Sequence, residues 1–164
     1  MNPHQDLIVK MALDSWHTQI NNGAKLFREL TFDQLIMEVA PRRNTGVYLL
    51  GHLVAVHDDL HPLFNFGQRL HPELENIFIK NSDKSNLEKP AIKLLLHHWD
   101  EVHGNLEKHF SSMSTEEWFQ KHNSISEEDF KKEPNRNKLN VLLNRTNHLS
   151  YHLGQLAFLK EGED

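Results

Sequence analysis

Val47-Tyr-Leu-Leu-Gly-His52-Leu-Val-Ala-Val56 is apolar on every side of a helix except for one imidazole. A helix that is hydrophobic all round belongs in the middle of a protein. The stretch therefore predicts a central helix over about residues 46–64, with Asn44 or Thr45 as its N-cap after Pro41-Arg-Arg. Upstream, Val9, Leu13, Trp16, Ile20, Ala24 and Phe27 recur at spacings of three and four. They predict a helix over about 6–30, loosened at Asn21-Asn22-Gly23. Thr31 then caps a short helical turn. Downstream, a polar link leads to a third stripe, Ile92, Leu95, Trp99, Val102, Leu106 and Phe110, on a helix from Pro90 to about Ser111. Ser114 and Ser126 each precede acidic first turns and predict two short helices. Pro134-Asn-Arg-Asn137 separates these from a fourth long helix over about 138–160.

No strand pattern, repeat or linker interrupts this order. The expected fold is all-α: a four-helix bundle with short extra helices in its connections, forming one domain over residues 1–164. A net charge of −5 and the lack of any long basic run argue against nucleic acid as a partner. Arg42-Arg43 and Lys131-Lys132 read as isolated pairs. No apolar run reaches the ~18 residues of a membrane span, and the first residues lack a signal-peptide pattern. A soluble cytoplasmic protein is the expectation, with long apolar helices that would also permit a homodimer.

The chain has no cysteine, so any metal site must use His, Asp or Glu. It has thirteen histidines. On the fourth helix His148 and His152 are four apart, hence on one face, in a stripe with Val141, Gln155 and Leu159. Two imidazoles are too few for tight binding, and His52 on the central helix is the expected third ligand. His57, four before His61, is its rival; Asp58, Asp59 and Pro62 suggest the less buried end of the helix, so His57 is expected at the surface or supporting a ligand. Tyr151 and Gln155 are expected to orient a ligand or a histidine. Gly154 suggests close approach of a neighbouring helix. His71, His97, His98, His103 and His109 read as surface residues. Three imidazoles suit Zn2+, Ni2+ or Fe2+ and leave positions open for water or a small-molecule substrate.

The His148-x3-His152-x-Gly154-Gln155 motif, the Leu50-Gly-His52-Leu-Val-Ala segment followed by His57 and Asp58, and the Leu30-Thr-Phe-Asp-Gln-Leu35 turn together resemble the DinB-like (DNA-damage-inducible, YfiT-like) superfamily of four-helix bundles. The resemblance covers nearly the whole chain. It implies His52, His148 and His152 as a metal triad, and frequent dimers. It also implies kinship in fold with enzymes that attach low-molecular-weight thiols to electrophiles, with thiol-dependent maleylpyruvate isomerases and with metal-dependent hydrolases. Two function classes follow: a hydrolase or thiol transferase whose metal activates water or a thiol, and a non-catalytic metal or small-ligand binder in a stress response.

Overall fold

The computed structural model describes residues 3–160. Nine α-helices occur among them: α1 (Pro3–Glu29), α2 (Phe32–Ile36), α3 (Gly46–Asp58), α4 (Leu60–Phe64), α5 (Leu74–Phe78), α6 (Ile92–Ser112), α7 (Thr115–Trp118), α8 (Glu127–Lys132) and α9 (Lys138–Leu156). One-turn 3₁₀ segments follow at Asp83–Ser85 and Ala157–Leu159. The described residues form no strand, only isolated bridges such as Glu38 with Thr45. The fold is all-α, and among the described residues no helix is long and apolar enough to cross a membrane.

The four longest helices make a closed circuit of contacts, α1 to α9, α9 to α3, α3 to α6 and α6 to α1. Their shared core holds Trp16, Phe27, Leu50, Leu53, Val54, Leu95, Trp99, Val102, Leu106, Leu149 and Leu156. The all-round apolar character of α3 is realised: Tyr48 through Gly51, Leu53 through Ala55, and His57 and Asp58 are all buried. The predicted caps also form. Thr31 and Ser114 close capping boxes, Thr45 accepts from the Tyr48 amide, and Ser126 from that of Asp129.

Three local departures from the sequence pattern matter. First, α1 is unbroken at Asn21-Asn22-Gly23, because Gly23 lies against the Trp99 ring, where a Cβ would sit 3.0 Å from two ring carbons. Second, the predicted 46–64 helix divides at Asp59. Pro62 has no amide to give the Asp58 carbonyl, and that carbonyl accepts His61 Nδ1 at 3.0 Å instead. Third, the link after α4 contains α5, one turn held down by fully buried Leu74 and Phe78. Its i, i+4 apolar pair was visible in the sequence, but one pair among polar residues is a weak periodic signal.

Candidate metal centre

The three histidines nominated from the sequence, His148 and His152 by spacing and His52 by its apolar surroundings, lie together. His148 and His152 place their Nε2 atoms 3.0 Å apart, and His52 Nε2 reaches to 3.2 Å from His148 Nε2. Two ligands of a tetrahedral ion with bonds of about 2.0–2.1 Å lie roughly 3.3–3.4 Å from each other, so these separations match the edge of a coordination polyhedron. Hydrogen-bond accounting points the same way. His52 Nδ1–H donates to the Phe78 carbonyl at 2.8 Å, and His152 Nδ1–H to Gln155 Oε1 at 2.8 Å. In the neutral rings both Nε2 atoms then carry lone pairs. Both lone pairs approach a single His148 nitrogen, which has one proton at most. His148 Nδ1 is itself buried with no hydrogen-bond partner.

The rings are held neutral. Burial lowers the pKa of all three, against hydrogen bonds from His52 to Phe78 and from His152 to Gln155. His148 is pushed furthest, to about 4, by burial and then by its two neighbouring imidazoles and Arg145. Neutral imidazole is the form that binds a metal ion.

Sequence-local features explain how the trio is aimed. Gly51 packs directly beneath Phe78: a Cβ there would lie 2.3 Å from the ring. That contact seats α5 so that its last carbonyl reaches His52. Tyr48, one turn before His52, donates to the Asn81 carbonyl at 2.7 Å and closes the far side of the same link. On α9, Gln155 also donates to the Tyr151 hydroxyl at 3.1 Å, which fixes its amide with oxygen towards His152. Gln155 thus joins His152 to Tyr151. The close approach expected at Gly154 is absent, since a Cβ there would meet nothing within 4 Å. The α9 core face is instead Leu142, Leu149, Leu153 and Leu156, and the histidine stripe runs along its border.

That border opens into a cleft of about 260 Å³ lined by Val39, Arg42, Arg43, Asn44, Tyr151, His152 and Gln155. The arginines are therefore not an idle surface pair. The α2–α3 loop folds back through a Val39 amide to Asn44 carbonyl bond of 3.0 Å, and Arg42 adopts φ 64°. A non-glycine residue in this left-handed region is uncommon. The Glu38 carboxylate accepts the Arg42 amide at 2.8 Å, and the Thr45 amide is pinned by Asp83 at 2.7 Å. No carboxylate among the described residues pairs with either guanidinium.

The expectation for His57 is corrected. It is fully buried and is neither a surface group nor a substitute for His52. Its ring sits against Trp16 at a centroid distance of 4.9 Å, and its Nδ1 lies 2.8 Å from His103 Nε2. His103 donates from Nδ1 to the Trp99 carbonyl at 2.7 Å, so its Nε2 accepts and His57 Nδ1–H donates. His103, expected to be solvated, is half-buried with both ring nitrogens engaged inside the bundle, and burial pushes it to about 4. His61 is buried against Asp58, and both its nitrogens face acceptors, Asp58 and Asn105 Oδ1. Burial opposes its charge, but Asp58 outweighs burial and raises its pKa. His98 is buried and His71 mostly so. A signal existed: Leu50, Val54, His57 and His61 repeat at four, three and four, as do Trp99, His103, Leu106 and Phe110. The flanking acids and proline obscured it.

Compared with protein-family models the chain matches none, and no curated protein matches it either.

Proposed function

We propose that this chain is a metal-dependent enzyme of hydrolase or low-molecular-weight thiol-transferase type, built as a four-helix bundle similar to the DinB-like superfamily, with one zinc, nickel or iron ion held by His52, His148 and His152. The observation that carries this reading is the convergence of three neutral imidazole nitrogens at 3.0–3.2 Å with two of the opposite nitrogens already tied. An ion so held supplies Lewis acidity to a water, a thiol or a substrate oxygen and keeps positions open for it.

The chain's own groups define what enters. Tyr151 accepts from Gln155, which leaves its O–H proton to donate to a ligand in the cleft. Arg42 and Arg43 line the same cleft and favour a substrate carrying a carboxylate or phosphate beside the reacting bond. Val39 gives that cleft its apolar contact.

The test begins with chelation and reloading, read by elemental analysis. The trio should retain an ion that His148→Ala loses. A panel of esters, amides and electrophile–thiol pairs, neutral and anionic, then separates the classes. Turnover that vanishes with His152→Ala, and that Arg42→Gln/Arg43→Gln weakens through KM for anionic members only, supports the enzyme. Metal retention without turnover on any member assigns the site to storage or sensing instead.

A further inference from the structure

We propose a second divalent-metal site, independent of the first, formed by His71, His98 and Glu101 with His97 alongside. His71 lies in the link between α4 and α5, while the other three residues lie on α6. Glu101 Oε2 gathers three imidazoles: His98 Nδ1 at 3.2 Å, His71 Nε2 at 3.3 Å and His97 Nε2 at 3.4 Å. These are again the spacings of neighbouring ligands on one small ion, roughly 3.3–3.4 Å. The donor atoms of His71, His98 and Glu101 all lie within 4.8 Å of one another.

Hydrogen bonding accounts for only part of this arrangement: His98 Nδ1–H donates to Glu101 Oε2 at 3.2 Å. His71 Nε2 is buried and has no hydrogen-bond partner, although a carboxylate oxygen stands 3.3 Å away. An orphaned buried polar atom costs free energy, and here it points into a set of ligand-type atoms. The His71 and His98 rings lie against each other with centroids 3.6 Å apart and planes inclined by 34°. Nor is the His71 backbone a free loop. The buried Asp58 carboxylate accepts the amides of Leu70 at 2.9 Å and His71 at 2.7 Å, which sets the ring before any ion arrives. This is the pre-positioning that ligand sites need.

Two imidazoles and a carboxylate bring one negative charge that the first site lacks. The set takes zinc, cobalt or ferrous iron, and accommodates manganese better than three imidazoles do. Glu101 borders an open groove with Leu70, Gly104, Asn105 and Lys108, so a bound ion keeps contact with solvent. Because His71 and α6 come from distant parts of the chain, the ion also fastens the α4–α5 link to α6.

The experiment is a Co2+ titration followed by the visible d–d band and by equilibrium dialysis. Full-length His148→Ala/His152→Ala protein, with the first site removed, should still bind one equivalent of Co2+. Adding Glu101→Gln and His98→Gln should weaken that binding at least tenfold, while circular dichroism shows the helices intact. Equal binding before and after the second pair of substitutions, or no binding to the first variant, overturns the proposal. If the first variant does not fold, wild type is compared with Glu101→Gln/His98→Gln: two equivalents falling to one supports the site, and one in both overturns it. In that pair the ion at His52, His148 and His152 reports separately, so failure of either site is distinguishable from failure of the other.

Discussion

Helix α3 carries two histidines five residues apart, and their surroundings differ in kind. His57 lies fully buried between Trp16 and Trp99, where its single donor meets a single acceptor on His103. His52 faces two further nitrogens, with too few protons among them to satisfy every approach. Burial is common to both and lowers the pKa of both. What separates a ligand set from a packed histidine is therefore not depth or charge. It is whether several lone pairs converge on one point: His57 Nε2 is also buried without a hydrogen-bond partner, but it belongs to no group of three ligand-type atoms among the described residues.

The comparison breaks most sharply at Gly51. Gly51→Ala drives a methyl into the Phe78 ring and should cost about 1–3 kcal/mol through overpacking. It also displaces the carbonyl that aims His52, and ion affinity should fall by about 10–100-fold. His57 and its contact with His103 lie on the other side of the helix and should be spared. Chemical denaturation, a metal-competition assay and the His57 ring resonances read the three effects. Unchanged affinity would show that Phe78 does not orient the trio.

The His57 side of the comparison is sharpened by pH. Its pKa is lowered by burial first and by His103 second, so the folded ring stays neutral while the unfolded one protonates below about 6.5. The unfolded state then holds more protons, and stability must fall as pH drops through that window. In chelated protein each such imidazole contributes up to about 1.4 kcal/mol per pH unit. His57→Leu should reduce the slope by close to one proton. It should also cost about 1–3 kcal/mol near neutral pH by stranding His103 Nε2. Metal stoichiometry should not change. Thermal melts between pH 5 and 8 in chelator, with elemental analysis of reloaded protein, check this; an unaltered slope would contradict the burial argument.

The smallest effect is expected at Gly154, between the two histidines and Gln155 of the α9 stripe. With open space where a Cβ would go, Gly154→Ala should stabilise α9 by roughly 1 kcal/mol. Ion affinity should hold, as seen by the same denaturation and competition measurements. Loss of binding would reveal a need for glycine that packing does not show.

How far the sequence alone reaches follows from these cases. The long helices were legible because Trp99, Val102 and Leu106, like Val9 and Trp16, repeat at helical spacing over several turns. His148 and His152 were legible because a single helix sets their separation. His52 could be nominated only from the apolar character around it, since its meeting with α9 is a tertiary event. The cleft was not legible at all: Arg42 and Arg43 lie more than a hundred residues from Tyr151 and reach it through a loop whose course depends on Asp83. His57 and His103 were misjudged because adjacent Asp58, Asp59 and Asp100 suggested solvent, whereas Asp58 is itself internal and occupied by backbone amides.

That internal carboxylate has a structural consequence. Asp58 belongs to the helix that supplies one histidine of the first cluster, and its two oxygens hold the segment that supplies one histidine of the second. A single rigid rod thus sets the angular position of both clusters. Rotation of α3 about its axis would therefore disturb both clusters together.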